Sequence, residues 1–340
     1  MGSHSASRPG NLLITSDGAL HVFVFQPLDA SINDSVGNLV YYHYPDARTN
    51  LFTTVTSETI QSSPSPVQES VNIRIGATLN ANNVLAVGYG LNFEASTASK
   101  SMVVFTKTTG QTWQKRIYSN LAHEYYYPFI ALTGSNRIFI LPVQDDFVQA
   151  SPPFNRYYKS PLLLFDGTSW SKQMILDLST HPSAIGDQNK QLVEQSELFE
   201  TTSGNVMAIV IDKSNGFYAF SFKSVTFDST GTLIATEHLD WASGKSMRWI
   251  RAFEIESGLY YLGLNNTGRV YLHRAASNQT VRIELSGMNG AYIYLSSARG
   301  GSHQNHDSLD LLAIPGNSGS YPSPGMKLHV ISKSRIKALF

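Results

Sequence analysis

The chain has 340 residues, sets 25 Lys and Arg against 25 Asp and Glu, and is 42% hydrophobic with only 15% charged residues. Zero formal net charge removes the electrostatic basis for nucleic acid or an anionic membrane as the main partner, and the apolar content excludes a disordered chain. With no cysteine there is no disulfide, thiolate metal site or cysteine nucleophile, and no apolar run approaches the roughly 20 residues of a membrane span.

Residues 1–9 read as a tag or linker, with no apolar signal core, and residues 10–340 as a single domain. From there almost every apolar stretch is short, rich in Val, Ile, Tyr and Phe, and bounded by Gly, Asn, Asp or Ser, which is the pattern of strands and turns. The strands fall into sets of four. The first is Asn11–Thr15, Leu20–Phe25, Leu39–Tyr44 and Leu51–Val55, followed by a Ser/Pro-rich loop at 57–69. The second is Val71–Leu79, Val84–Gly90, Met102–Thr106 and Gln114–Tyr118, and the third Tyr127–Leu132, Arg137–Val143, Leu162–Phe165 and Lys172–Leu176. The fourth is Gln195–Glu200, Val206–Asp212, Phe217–Ser221 and Leu233–Glu237. The fifth is Arg248–Glu254, Leu259–Leu264, Val270–His273 and Thr280–Leu285, and the sixth Tyr292–Ser297, Leu309–Ile314, Lys327–Ile331 and Arg335–Phe340. Repeated four-strand meanders predict an all-β fold, a β-propeller of six four-stranded antiparallel blades, with seven blades as the alternative.

The turns between third and fourth strands carry a resemblance. Phe105-Thr106-Lys107-Thr108-Thr109-Gly110-Gln111-Thr112-Trp113 resembles the Asp-box (BNR) hairpin of sialidase-like propellers, with Thr108 at the Asp position, and Phe165-Asp166-Gly167-Thr168-Ser169-Trp170 is a second partial copy. The opening run Arg8-Pro9-Gly10-Asn11-Leu12-Leu13-Ile14-Thr15-Ser16-Asp17-Gly18 is similar to the first repeat of that family. The resemblance implies a Glu-bearing fourth repeat, with Glu194 or Glu197, an Arg opening the fifth, Arg248 or Arg251, and a Tyr near the start of the sixth, Tyr292. Where the family places a further Arg this chain has Asp212 and Lys213, which would not reproduce a clamp of three guanidiniums. The resemblance therefore implies the architecture, and sialidase activity is not carried over.

In a propeller, ligands are expected on the face where the innermost strands begin, because the inter-blade loops and the loops between second and third strands converge there. Before the third set, that face receives His123, Glu124, Tyr125 and Tyr127. A second-to-third loop is expected to bring Asp145, Asp146, Arg156, Tyr157 and Tyr158. Asp187 and Glu194 precede the fourth set, and Lys245 and Arg248 the fifth. Phenol rings stack on sugar faces and donate hydrogen bonds, so the expected partner is a polysaccharide or other glycan. The expected activity is that of a secreted, monomeric polysaccharide lyase acting by β-elimination at a uronic acid. His123, Tyr125 or Tyr127 would serve as base and acid, and Arg156, Tyr157, Arg248, Arg251, Asp187 or Lys245 would bind substrate. The alternatives are a lectin-like propeller and a sialidase-like hydrolase, in which Tyr292 would be the nucleophile and Glu194 or Glu197 its base. No cofactor is expected. The run Gly301-Ser302-His303-Gln304-Asn305-His306-Asp307 reads as a surface loop and not as a metal site.

Overall fold

A computed structural model describes residues 8–15, 18–27, 37–45, 55–62, 75–91, 100–121, 124–125, 128–142, 144–147, 156–177, 197–212, 221–242, 245, 247–265, 267, 269–284, 308–313 and 327–340. They form six antiparallel sheets that follow one another along the chain. The first is β1 (Arg8–Ile14), β2 (Leu20–Pro27), β3 (Gly37–Tyr44) and β4 (Thr56–Gln61). The second is β5 (Gly76–Leu79), β6 (Leu85–Leu91), β7 (Lys100–Lys107) and β8 (Gln114–Leu121). The third, the largest, holds β9 (Glu124–Tyr125), β10 (Phe129–Leu132), β11 (Ile138–Leu141), β12 (Gln144–Phe147), β13 (Arg156–Phe165) and β14 (Trp170–Asp177). The fourth is β15 (Glu197–Glu200), β16 (Val206–Asp212), β17 (Ser221–Phe227) and β18 (Leu233–His238). The fifth is β19 (Met247–Ile255), β20 (Gly258–Asn265), β21 (Val270–Arg274) and β22 (Gln279–Ile283), and the sixth pairs β23 (Ser308–Ala313) with β24 (Lys327–Ser332). Among the described residues no helix is long and apolar enough to cross a membrane.

The sheets are the blades of a propeller. The first strands touch in sequence, β1 on β5, β5 on β10, β10 on β15 and β15 on β19, so the leading strand of each blade sits beside that of the next around a common axis. Packing follows the same rule. In β11, Ile138 and Ile140 join a core with Ala86, Met102 and Val104 of the second blade, while Phe139 and Leu141 join another with Leu198, Val206 and Phe227 of the fourth. In β16, Val206, Ala208 and Val210 point back to the third blade, and Met207 and Ile209 forward to Ile250, Ala252 and Tyr261 of the fifth. Side chains alternate across a strand, so a strand covered on both faces must be apolar at every position. That is why Phe129–Leu132 and Ile138–Leu141 are continuous apolar runs, while outer strand β18 is exposed throughout. Trp113 packs edge-on against Phe23 and Tyr41 in the seam of the first and second blades, and Trp170 meets Tyr118 and Phe165 in the next seam.

The turns between first and second strands repeat one design. Thr15, Asn80, Thr133 and Thr201 each donate from the backbone N–H to the carbonyl four residues on, and each accepts from the residue three on. That residue is left-handed in every copy: Gly18 at φ 92°, Asn83 at 58°, Asn136 at 63° and Gly204 at 82°, the residue types that tolerate this region. These turns also clasp consecutive blades. Asn80 Nδ2 donates to Thr133 O at 2.9 Å, Gly134 N donates to Glu200 Oε1 at 3.1 Å, and Thr202 N donates to Glu254 Oε2 at 2.5 Å. Glu256 continues the series by pairing with Lys333 and Lys337 of a short helix, α1 (Lys333–Lys337).

Several expected elements differ. The fourth strand of the first blade is Thr56–Gln61, so the expected 57–69 loop begins as a strand, and of the expected strand Leu51–Val55 only Val55 lies among the described residues. As an outer edge β4 needs no apolar signal. The third strand of the fourth blade is Ser221–Phe227, and of the expected strand Phe217–Ser221 only Ser221 lies among the described residues. Asp228 Oδ1 accepts from the N–H groups of Thr230 and Thr232 and closes the turn that fixes where the strand ends. Arg335–Phe340, expected as a closing strand, holds α1 instead. Ser332 Oγ accepts from Arg335 N at the helix start, and Ile336 is fully buried against the fifth blade. The expected strand Tyr292–Ser297 lies outside the described residues.

The Glu256 pair gives a pH expectation. Hydrogen bonds from Lys333 and then Lys337 hold its carboxyl at about 2, below the usual carboxylate range. Because the folded value is depressed, its stabilising effect is present above about pH 4.3 and is lost as pH falls toward 2. Urea unfolding of the native chain and Glu256→Gln should differ at pH 7, and the difference should vanish near pH 2. A difference independent of pH would contradict the pairing.

Candidate functional site

The mouth of the propeller is the face on which β1, β10, β15 and β19 begin. Backbone placement brings Arg8 to the start of β1, Tyr125 to β9, Glu197 to the start of β15, and Arg248 and Arg251 to β19. Arg248 sits at a register shift between Met247 and Trp249. Of the sequence-derived candidates, His123, Tyr127, Asp187, Glu194 and Tyr292 lie outside the described residues, as does the 301–307 run.

Arg251 is the best-defined of these residues. Its guanidinium carbon lies 5.9 Å from the centre of the Phe129 ring, within cation–π range. Arg251 belongs to the inner strand of the fifth blade and Phe129 to that of the third. A contact that skips the fourth blade passes through the axial space. Burial draws the guanidinium down to about 10, so at neutral pH it is still a cation, held where water stabilises it poorly. Phe129 is a member of the site that sequence reasoning missed. Its signal is its place at the head of the inner strand, just after Pro128.

Lys245 follows a 3-10 turn at Asp240–Ala242 between the fourth and fifth blades, on the mouth side, and its Nζ donates to Trp241 O at 2.5 Å. Trp241 in turn stacks on His273, with centroids 4.8 Å apart and planes at 4°. Burial, and then the charge of Lys245, hold His273 down at about 4, so this imidazole is neutral at pH 7. Trp241 thus wedges the turn into the seam and fixes where Lys245 emerges.

Asp145, Asp146, Arg156, Tyr157 and Tyr158 were expected in a loop and are instead in strands. Asp145 pairs with Tyr158, Asp146 with Tyr157 and Phe147 with Arg156, while β9 pairs Tyr125 with Gln144 and Glu124 with Asp145. The ladder register explains the break that hid this. Phe129 faces Leu141 and Ile140 faces Leu163, so the next positions align Pro128, Pro142 and Pro161 across three neighbouring strands. Proline has no N–H to donate, so this row interrupts the ladder. Below it the strands are apolar core. Above it they continue as a polar and aromatic extension toward the mouth.

On the opposite face, His43 stacks on His21 at 5.0 Å, and His21 Nδ1 is 2.8 Å from the Tyr41 hydroxyl. Burial, and then Glu58, push the Tyr41 phenol up to about 12. This array belongs to the seam of the first two blades, away from the mouth. Among the described residues no group of three or more His, Asp or Glu is placed to hold a metal ion.

No protein-family model and no curated protein matches the sequence. Solved structures do. A leech intramolecular trans-sialidase with bound 2,7-anhydro-Neu5Ac superimposes with a TM-score of 0.53 at 9% identity, covering 98% of this chain and 69% of its own. An α-L-arabinanase of Penicillium chrysogenum, with arabinobiose, gives 0.51 at 10% identity over 97% of this chain and 94% of its own. An Aleuria aurantia lectin, with α-methyl-L-fucoside, gives 0.51 at 9% over 96% of both. At these identities the likeness speaks to the fold alone, and the fold of this chain is the β-propeller that these proteins share.

Proposed function

We propose that this chain is a secreted carbohydrate-active propeller that takes an acidic sugar unit at its axial mouth, with Arg251 as the anchor for the carboxylate. In this proposal the propeller is one unit and acts as a monomer. The observation that carries it is the Arg251 guanidinium over Phe129 in the axial space. A partly desolvated cation beside an aromatic ring offers a carboxylate a charge-assisted, bidentate partner and offers the sugar a stacking surface. That the arabinanase, trans-sialidase and lectin, each solved with a sugar ligand, share the architecture supports the glycan part of the reading.

As chemistry we favour β-elimination at a uronic acid. A base takes the C5 proton, an acid protonates the departing glycosidic oxygen, and Arg251 with Arg248 neutralises the carboxylate whose charge grows in the transition state. Tyr125 on β9 stands at the mouth as one candidate acid or base, and His123 and Tyr127 are its proposed neighbours in sequence.

The test is a panel of polysaccharides, acidic (polygalacturonate, alginate, hyaluronan, heparosan) and neutral (arabinan), read for both ultraviolet absorbance of an unsaturated product and new reducing ends. Absorbance with reducing ends on an acidic polymer is the expected result. Reducing ends without absorbance would replace elimination by hydrolysis. Cleavage of arabinan alone would overturn the acidic-sugar reading.

A further inference from the structure

On the face opposite the mouth, one seam is held differently from its neighbours. Between the third and fourth blades, and between the fourth and fifth, a turn N–H meets a buried carboxylate of the next blade: Gly134 N donates to Glu200 Oε1 and Thr202 N to Glu254 Oε2. At the fifth blade the turn shrinks to Glu256 and Ser257, both left-handed, between the paired residues Ile255 and Gly258. Here the turn itself carries the carboxylate, and Lys333 and Lys337 of α1 reach it, Lys333 Nζ at 2.7 Å. The side chains of Glu256 and Lys337 are 46% and 47% exposed, and ion pairs so open to water are weak beside the burial of an Ile or a Phe. Apolar contacts therefore carry this seam. Ile331 of β24 and Ile336 of α1 share one core with Phe253, Ile255, Tyr260 and Leu262 of the fifth blade. Phe340 N donates to Lys337 O, and the Phe340 ring lies 5.8 Å from that of Tyr260. An isolated helix shorter than about 12 residues is marginal in water, so α1, with five, exists because it is docked. The strands it follows, β23 and β24, pair with each other over six positions, and a lone two-stranded sheet is marginal as well.

We infer that α1, with Ile331 and Phe340, is a latch on the closing blade: the ring opens at the seam of the fifth and sixth blades, as one unit, while the second to fifth blades stay folded. Release needs Ile336 and Phe340 to leave the fifth-blade core, and α1 then melts because nothing local sustains it. Parting the third blade from the fourth would instead expose Phe139, Leu141, Leu198, Val206 and Phe227 together. Regions with few buried contacts open before the rest of a protein unfolds, and the latch places that region at the sixth blade. The device is independent of the ligand taken at the mouth.

The experiment is amide hydrogen exchange of the full chain in low urea, read on peptides covering β23, β24 and β11, for the native chain, Ile336→Ala and Ile140→Val. In the native chain the amides of β23 and β24 should exchange at least roughly tenfold faster than those of β11, and with a weaker dependence on urea. Ile336→Ala should speed exchange in β23 and β24 roughly 30-fold or more, as expected for emptying a fully buried Ile site. Ile140→Val, in the core of the second and third blades, should speed exchange in β11 about fivefold and leave β23 and β24 unchanged, because Ile140 stays packed when the latch opens. Phe340→Leu takes the place of Ile336→Ala if that variant does not fold. Exchange in β23 and β24 with the rate and urea dependence of β11, or an Ile140→Val effect equal in both, would mean that the chain unfolds as one unit and would overturn the latch. Exchange in β23 and β24 indifferent to the latch variants would overturn it too.

Discussion

Gly76→Ala is expected to cost about 3 kcal/mol of stability, the upper end of the usual penalty for overpacking. Gly76 opens the inner strand of the second blade. A Cβ there would lie 2.0 Å from the carbonyl oxygen of Pro128, which heads the inner strand of the third, and 3.3 Å from Ile130 Cγ1. Backbone cannot swing aside as the end of a side chain can, so the two inner strands must part. Glycine is used here for close approach and not for a left-handed turn. Gly134→Ala is the control: nothing lies within 4 Å of its added carbon, and a shift within about 0.5 kcal/mol is expected. Urea midpoints of the two variants decide the matter. Equal, small shifts would mean that the inner strands do not meet at this level.

Arg251→Met should weaken binding of an acidic oligosaccharide roughly 100-fold, about 3 kcal/mol, in line with losing a charge-assisted contact in a poorly hydrated place. Arg251→Lys separates charge from geometry. It keeps the cation but loses the fork that meets a carboxylate with two parallel hydrogen bonds, so an intermediate loss is expected. Equal affinity in both variants and the native chain would take Arg251 out of the site. A thermal midpoint recorded on each variant keeps a folding defect from passing for a binding defect.

Much of the fold could be read from the residues because of how blades pack. A central strand buried on both faces, such as Ile138–Leu141, announces itself as an apolar run, and the turn that leads into it announces itself by Asn or Gly where the backbone goes left-handed. What failed lay where burial gives no signal. Thr56–Gln61 is an exposed edge whose residues could equally line a loop. The strand Ser221–Phe227 mixes Ser, Lys and Thr with its apolar residues, and the Asp228 turn that ends it shows only in the hydrogen bonds. At the C-terminus an alternating pattern read as a strand was captured by a Ser332 cap and two lysines reaching Glu256.

The mouth was legible to a different degree. That Arg248 and Arg251 would stand on the inner strand of the fifth blade, and Tyr125 shortly before that of the third, follows from connectivity once strands are assigned. That Arg251 would sit over Phe129 does not, because it depends on a contact between residues far apart in the chain. The proline row was present in the sequence as Pro128, Pro142 and Pro161, yet its meaning appears only when the register places the three side by side.

Stoichiometry of acidic-glycan binding tests the axial claim most directly. Calorimetry with a short acidic oligosaccharide from the polymer selected by the panel should give one site per chain, abolished or strongly weakened in Arg251→Met. Several equal sites per chain that persist in Arg251→Met would place the ligands between blades and contradict a single anchor on the axis.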